Sequence, residues 1–311
     1  MAEVFGDRVA RRVRESGPLC VGIDPSREQL LAWDRGDDIT GLEFFMLQML
    51  ESCIDVAVAL KPQVAYFERF GSRGIAALER LIAEARSAEM LVIGDAKRGD
   101  IGSTNDGYAA AWLTDPSPLA VDALTVTPYL GFHALESVFR AADASGRGVF
   151  VVVASSNDEG RVVQTAQTSS GESVEDWHFR QIAERNERGA GQLGTVGAVL
   201  GATRSNPRFP LEEMRGTFLV PGVGAQGATA SDVGRMFAKC PKGKQTCADI
   251  HSGLVCADVL DVPACLPLGS FPGSACRDSA RDACDDVAAG DATAPMVCQD
   301  GQCLADCSKG G

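Results

Sequence analysis

Seven short apolar runs, rich in β-branched residues and each followed by a polar or conformationally special residue, constrain this chain more than any other feature. They are Leu19 to Ile23, Val56 to Leu60, Leu91 to Ile93, Ala123 to Val126, Val149 to Val153, Val196 to Leu200 and Phe218 to Val220. Amphipathic stretches lie between them, among them Gly41 to Ser52, Gly74 to Ala88, Ala134 to Ala144, Val174 to Arg188 and Ser231 to Ala238. Runs that are apolar throughout, rather than alternating, belong to strands covered on both faces, so the pattern predicts a parallel sheet sheathed by helices. The residues that end the runs choose between the two common architectures. Asp24, Lys61, Asp95 with Lys97, Thr127 with Pro128, Ser155 with Ser156, Thr203, and Pro221 with Gly222 come in turn after the seven runs. A doubly wound sheet concentrates such groups at one crevice, whereas a TIM (β/α)8 barrel collects one or two from the C-terminal end of every strand. The barrel is the expected fold.

Seven runs leave the barrel one short. From Cys240 onward the chain is rich in Gly, Ala, Asp and Cys, and Ile250 and Leu254 to Val255 are the only weak strand candidates. The reading is a barrel domain over residues 1–239, with the eighth β/α unit replaced by a Cys-rich tail over 240–311. Nine of the 11 cysteines fall in that tail, an odd number without a C-x-x-C pair. This disfavours a structural zinc site and resembles an oxidised secreted module joined to a body with reducing-compartment cysteine usage. A natural fusion, a low-complexity tail and a reading frame that slipped near Lys239 are the three readings; the abrupt loss of the barrel pattern favours the slip.

The formal net charge of -13 argues against a nucleic-acid or anionic-membrane partner, which would need a basic face. A local basic pocket for one anionic metabolite is compatible with it. The first residues, MAEVFGDRVARRVRESG, lack the apolar core of a secretory signal, and no run reaches the roughly 18 apolar residues of a spanning helix. The expected location is the cytoplasm.

Chemistry concentrates in LVIGDAKRGDIGST, residues 91 to 104. On a persisting strand Asp95 and Lys97 share a face, and Lys61, at the end of the preceding run, lies on the neighbouring strand about 4.8 Å away. Gly102, Ser103 and Thr104 open a helix, which puts Asp100 on the connecting loop. A strand-end ion pair that merely fixes a loop is the competing reading. Lys97 held as an ammonium between carboxylates suits a reaction in which negative charge develops on carbon, with Asp95 repelling a substrate carboxylate.

After the seventh run, VPGVGAQGATASD carries Gly222, Gly224 and Gly227 in the spacing GxGxxG. That spacing alone is weak evidence and belongs to the first strand of a dinucleotide-binding fold; after the seventh strand of a barrel it is placed to cradle a phosphate. Ser155, Ser156 and Asn157 either hydrogen-bond a base or cap the next helix. His133 reads as a helix-start residue, His178 and His251 show no metal-ligand spacing, and no nucleophile elbow supports a serine triad.

Asp24 in VGIDPS, Lys61 in ALKPQ, the DAKRGDIGST segment, TVTPYLG at 125 to 131, SSN at 155 to 157 and PGVGAQG at 221 to 227 together resemble the orotidine 5'-phosphate decarboxylase family, in its bacterial longer-barrel subgroup. The resemblance covers roughly residues 1 to 239. It implies cofactor-free decarboxylation of a nucleotide substrate, orotidine 5'-phosphate, to UMP in pyrimidine synthesis, with no metal, by a homodimer with sites at its interface. By the same resemblance Lys97 protonates C6, Asp95 crowds the carboxylate, Lys61 completes the charged array and Asp24 binds a ribose hydroxyl. Asp100, Ile101 and Thr104 reach into the partner's site. Ser156 and Pro221 contact the pyrimidine, and Gln226 with the backbone of Gly222 to Gly224 holds the phosphate. The family's phosphate-binding arginine and closing helix are not recognisable, and neither Arg204 nor Arg235 is assigned that role. Two alternatives stand beside this reading: a related sugar-phosphate decarboxylase or aldolase, often magnesium-dependent, and a catalytically impaired nucleotide-binding barrel.

Overall fold

The computed structural model describes residues 3–189, 191–203, 210–224, 226–237, 254–258, 296–299 and 302–305. Eight parallel strands succeed one another in chain order and close on themselves: β1 Leu19–Ile23, β2 Ala59–Pro62, β3 Leu91–Arg98, β4 Ala123–Val126, β5 Gly148–Ala154, β6 Val196–Leu200, β7 Phe218–Gly224 and β8 Leu254–Asp258. The helices are α1 Phe5–Ser16, α2 Arg27–Ala32, α3 Ile39–Cys53, α4 Val64–Glu68, α5 Gly71–Ser87, α6 Gly102–Leu113, α7 Glu136–Ser145, α8 Arg161–Gln164, α9 Val174–Asn186 and α10 Ala230–Phe237. Among the described residues no helix is long and apolar enough to cross a membrane.

The expectation that the eighth unit is replaced needs correction for its strand. Leu254–Asp258 pairs in parallel with β1, Cys20 opposite Cys256, and with β7, Val220 opposite Val255. The sheet therefore draws its last member from the cysteine-rich segment, beyond the boundary expected at residue 239. Only the weak candidate Leu254 to Val255 marks it in the sequence, because LVCAD with no periodic flank gives too little pattern for an eighth unit. A closing helix after β8 would lie outside the described residues, as does most of the tail. Within the tail Met296–Gln299 and Gln302–Ala305 pair antiparallel, with Cys298 opposite Cys303.

Two apolar layers hold the barrel. The outer one packs strand residues such as Leu60, Val92, Leu124, Val151 and Leu200 against helix residues such as Phe45, Leu78, Phe139 and Phe179. The inner one is sealed at the bottom by α1, whose Phe5, Val9 and Val13 join Cys20, Ala59, Ile93, Ala123, Phe150 and Leu219. The charge-rich start of the chain is thus a plug. Its charged face is pinned too: the Asp7 carboxylate accepts the Leu193 N–H at 2.8 Å, and Arg8 pairs with Asp122 at 3.1 Å. Phe5 meets Phe150 edge-on at 5.9 Å between centroids. It also fills the space that a Cβ on Gly148 would occupy, which would sit 2.2 Å from its ring.

Because the tightly packed surroundings of that ring can collapse only in part when it is removed, Phe5→Ala should lower stability by about 3–5 kcal/mol, the usual range for emptying a buried phenylalanine site. Urea denaturation followed by circular dichroism is the measurement.

Candidate active site

At the C-terminal mouth of the barrel β2 and β3 bring opposite charges together. β2 runs one residue past Lys61, so that side chain belongs to the strand itself and is 3% exposed. Its Nζ lies 3.2 Å from Asp95 Oδ2 and 3.7 Å from Asp24 Oδ1. Lys97 Nζ lies 2.7 Å from Asp95 Oδ1. Asp95 is almost as buried as Lys61, whereas half of the Lys97 side chain faces the mouth. The array therefore runs Asp24, Lys61, Asp95, Lys97, with its outermost ammonium open to a ligand.

The route by which Asp95 and Lys97 meet differs from the expected one. A regular strand would place both on one face, but the register of β3 against β4 shifts between Gly94 and Arg98. Lys97 takes a left-handed backbone with φ +47°. A non-glycine residue there carries roughly 1–3 kcal/mol of strain, which the surrounding contacts must offset. Glycine makes the distortion fit. A Cβ on Gly99 would sit 2.3 Å from the Thr127 carbonyl oxygen, so the chain leaving the bulge can pass β4 only as glycine.

Two neutral side chains complete the Asp95 environment. Gln63 Nε2 donates to Oδ2 at 2.9 Å, and Thr125 Oγ1 donates to Oδ1 at 2.9 Å while accepting the Lys97 N–H at 3.0 Å. Sequence reasoning misses both residues, although signals exist. Gln63 follows Lys61 by two, the repeat of a strand face, and Thr125 is the one polar residue in an otherwise apolar run. Burial alone would push the Asp95 carboxyl up. The Lys61 and Lys97 charges and the hydrogen bonds from Lys97 and Thr125 outweigh it and hold the group at about 2.

Asp100 lies outside this array within the chain. Its carboxylate accepts the Ile101 N–H at 2.8 Å, and its own N–H donates to Asn105 Oδ1 at 3.0 Å. Asn105, for which the sequence pattern gives no signal, is fully buried and also donates to the Ala134 carbonyl at 2.7 Å, tying the β3 loop to the turn before α7. Ile101 and Thr104, at the start of α6, are exposed.

Across the mouth, Ser156 Oγ donates to Gln226 Oε1 at 2.6 Å, joining the loop after β5 to the loop after β7. Pro221 lies on β7, half-buried. Gly222, Gly224 and Gly227 all have positive φ, between 85° and 107°, which explains the glycines. The Gly224 N–H donates to Ala228 O at 3.0 Å, closing the loop on itself. Asp232 occupies the α10 N-terminus by accepting the Thr229 N–H at 2.7 Å, and it also pairs with Arg235. Arg235 is thus engaged on its own helix, and Arg204 falls outside the described residues. His133 sits in a 3-10 turn beside Phe132 and Trp177. Among the described residues no group of three or more His, Cys, Asp or Glu side chains is set to hold a metal ion.

Removing the central carboxylate leaves Lys61 buried without its nearest counter-charge, so Asp95→Asn should destabilise by about 3 kcal/mol at neutral pH. A carboxylate held below its ordinary value contributes stability that is present above pH 3.8 and is lost as pH falls toward about 2. The gap between wild type and Asp95→Asn in denaturation midpoint should therefore narrow through that window; a gap that stays constant across it would contradict the assignment.

A family model described as orotidine 5'-phosphate decarboxylase / HUMPS family matches residues 17–246. The orotidine 5'-phosphate decarboxylase of Salinispora tropica is 49% identical over 235 residues, covering 76% of this chain and 84% of that protein. That of Corynebacterium glutamicum strain R is 48% identical over 231 residues, covering 74% and 83%. Among solved structures, a Streptomyces avermitilis protein assigned as an orotidine 5'-phosphate decarboxylase superposes with a TM-score of 0.81 at 38% identity, covering 94% of this chain and 97% of that one. The Leishmania donovani OMP decarboxylase gives 0.61 at 26% identity, covering 92% and 98%. With a model match over most of its length and relatives near half identity, this chain belongs to the orotidine 5'-phosphate decarboxylase / HUMPS family.

Proposed function

We infer that this protein decarboxylates orotidine 5'-phosphate to UMP, the reaction named by its relatives, and that the mouth of the barrel is where it does so. The observation that carries the reading is the single carboxylate, Asp95, gripped between a buried and a half-exposed ammonium. In this reading the substrate carboxylate is seated against Asp95, which the flanking Lys61 and Lys97 ammoniums hold ionised. Repulsion raises the energy of the bound carboxylate, and departure of carbon dioxide relieves it. The electron pair left on the pyrimidine carbon meets the Lys97 ammonium, which stabilises it and then gives up a proton to it. One such charge about 4 Å away, at an effective dielectric near 20, is worth on the order of 4 kcal/mol, or about three decades of rate. The rest must come from binding energy remote from the reacting carbon, which makes the grip on the phosphate part of catalysis.

The other roles are carried over from the family resemblance. Asp24, beside Lys61 and one third exposed, is assigned a ribose hydroxyl by the family resemblance. Ser156 and Pro221 face the base, and Gln226, already joined to Ser156, links base to phosphate together with the backbone of Gly222 and Gly224. Since Gly224 donates within its own loop, phosphate binding would require that loop to reopen. Asp100, Ile101 and Thr104 are assigned to the site of a second copy. Support comes from exposed apolar side chains: Ile101 is 61% exposed, Tyr129 79% and Leu130 54%. Exposed apolar side chains on the loops after the adjacent strands β3 and β4 suit a homodimer interface. The cytoplasm is the proposed location, and residues 1–239 together with the strand at 254–258 the proposed catalytic unit.

Lys97→Ala should lower kcat by at least about three decades with the fold retained by circular dichroism. Turnover of orotidine 5'-phosphate, followed by loss of its absorbance, should be unchanged by a chelator; inhibition that magnesium reverses would favour the sugar-phosphate alternative. If Asp100 serves the partner's site, mixing inactive Lys97→Ala and Asp100→Ala proteins should restore about one quarter of wild-type activity, because half of the dimers would then hold one intact site.

A further inference from the structure

We propose that Thr125 is a positioning residue, whose buried hydroxyl fixes Lys97 against Asp95 by binding the backbone of the one and the side chain of the other. This rests on the decarboxylase reading of the same site. Thr125 is 1% exposed and is the only polar member of β4. Around it four steps along β3, from Gly94 to Arg98, span the same length of ladder as two along β4, from Leu124 to Val126. Lys97 lies in that excess, in the left-handed region, with its N–H turned away from a regular strand partner. The Thr125 hydroxyl accepts that N–H at 3.0 Å and donates a hydrogen bond to Asp95 Oδ1 at 2.9 Å. The same carboxylate oxygen receives Lys97 Nζ at 2.7 Å. A closed ring results, from the Lys97 backbone through Thr125 and Asp95 to the Lys97 ammonium, so both ends of the lysine are referred to one oxygen.

A hydroxyl suits this place because it donates and accepts at once: it takes the Lys97 N–H, and its one proton favours Asp95 Oδ1 at 2.9 Å over the Gly94 carbonyl at 3.5 Å. Valine fills the same volume but leaves the Lys97 N–H and one lone pair of Asp95 without partners. Serine keeps both bonds. Gln63 holds the other carboxylate oxygen at 2.9 Å, so Asp95 stays in place in either variant while the tie to Lys97 differs.

Wild type, Thr125→Val and Thr125→Ser are compared in turnover of orotidine 5'-phosphate and, independently of activity, in the 13C titration of the Asp95 carboxyl. Expected for Thr125→Val is a kcat lower by roughly ten- to a hundredfold, the usual effect of losing a hydrogen bond to a charged group, with KM within about threefold. Thr125→Ser should recover to within about fivefold of wild type. The Asp95 titration should move to higher pH in the valine variant and stay in the serine variant. A valine variant with wild-type kcat, a loss confined to KM, a serine variant as impaired as valine, or an unmoved Asp95 titration would each overturn the proposal. Should wild type fail to turn over the nucleotide, the functional reading falls while the carboxyl titration still decides the role of Thr125. Where valine prevents folding, Thr125→Cys, of similar size but a weak hydrogen-bonder, takes its place.

Discussion

A lysine ammonium that water barely reaches must have a carboxylate beside it, and nearly everything at the mouth of this barrel stems from that requirement. Lys61 is fixed in the body of β2, and its nearest counter-charge comes from the adjacent β3, where Asp95, opposite Gln63, reaches it at 3.2 Å. Asp95 meets that demand and is then itself buried, and it needs a second cation and neutral donors to remain ionised. Lys97, Thr125 and Gln63 supply them. The cost of burying the first charge thus propagates across three strands, and the outcome is a carboxylate held ionised well below the usual range. For a reaction that expels a neutral molecule from an anion, a fixed negative charge with an exposed cation beside it is the useful arrangement.

The geometry of the exposed cation depends on irregular backbone. A lysine on a regular strand end would project outward with its own freedom. The bulge in β3 turns the backbone through a left-handed residue and brings the side chain back over the preceding aspartate. The close passage of Gly99 by the Thr127 carbonyl shows how little space the turn has. Strain of this kind persists only where neighbours overdetermine it, and here the neighbours are the same hydrogen bonds that orient Asp95.

The fold is legible in the sequence because buried parallel strands leave an unambiguous trace. Leu19–Ile23, Ala123–Val126 and Val196–Leu200 carry the same bounds in the apolar pattern and in the structure, since each is a continuous run between breakers. Thin pattern misleads. The apolar run Val56 to Leu60 marks β2, yet the strand spans Ala59–Pro62, because the residues before it are equally apolar and a lysine does not announce itself as part of a strand. The plug helix carries four arginines, Arg8, Arg11, Arg12 and Arg14, which mask the three apolar residues that matter. In the site, charges are legible because their type and spacing are chemical statements. The bulge, the Thr125 bridge and the Gln63 bond are not, because each depends on what the neighbouring strand presents at that height, and one-dimensional spacing is silent about it.

The seam of the cylinder, where β8 slots between β1 and β7, has a consequence for how the protein comes into being. A residue near position 20 has to wait for one near 256 before its strand gains a second neighbour. Closing so long a loop costs entropy that only the finished seam recovers. During synthesis on the ribosome the nascent sheet therefore carries two open borders until almost the whole catalytic unit has emerged. For that interval it is a template for pairing with any extended segment nearby. A sheet whose charged mouth is assembled by its fourth stave still depends, for solubility as it is born, on five residues that arrive late.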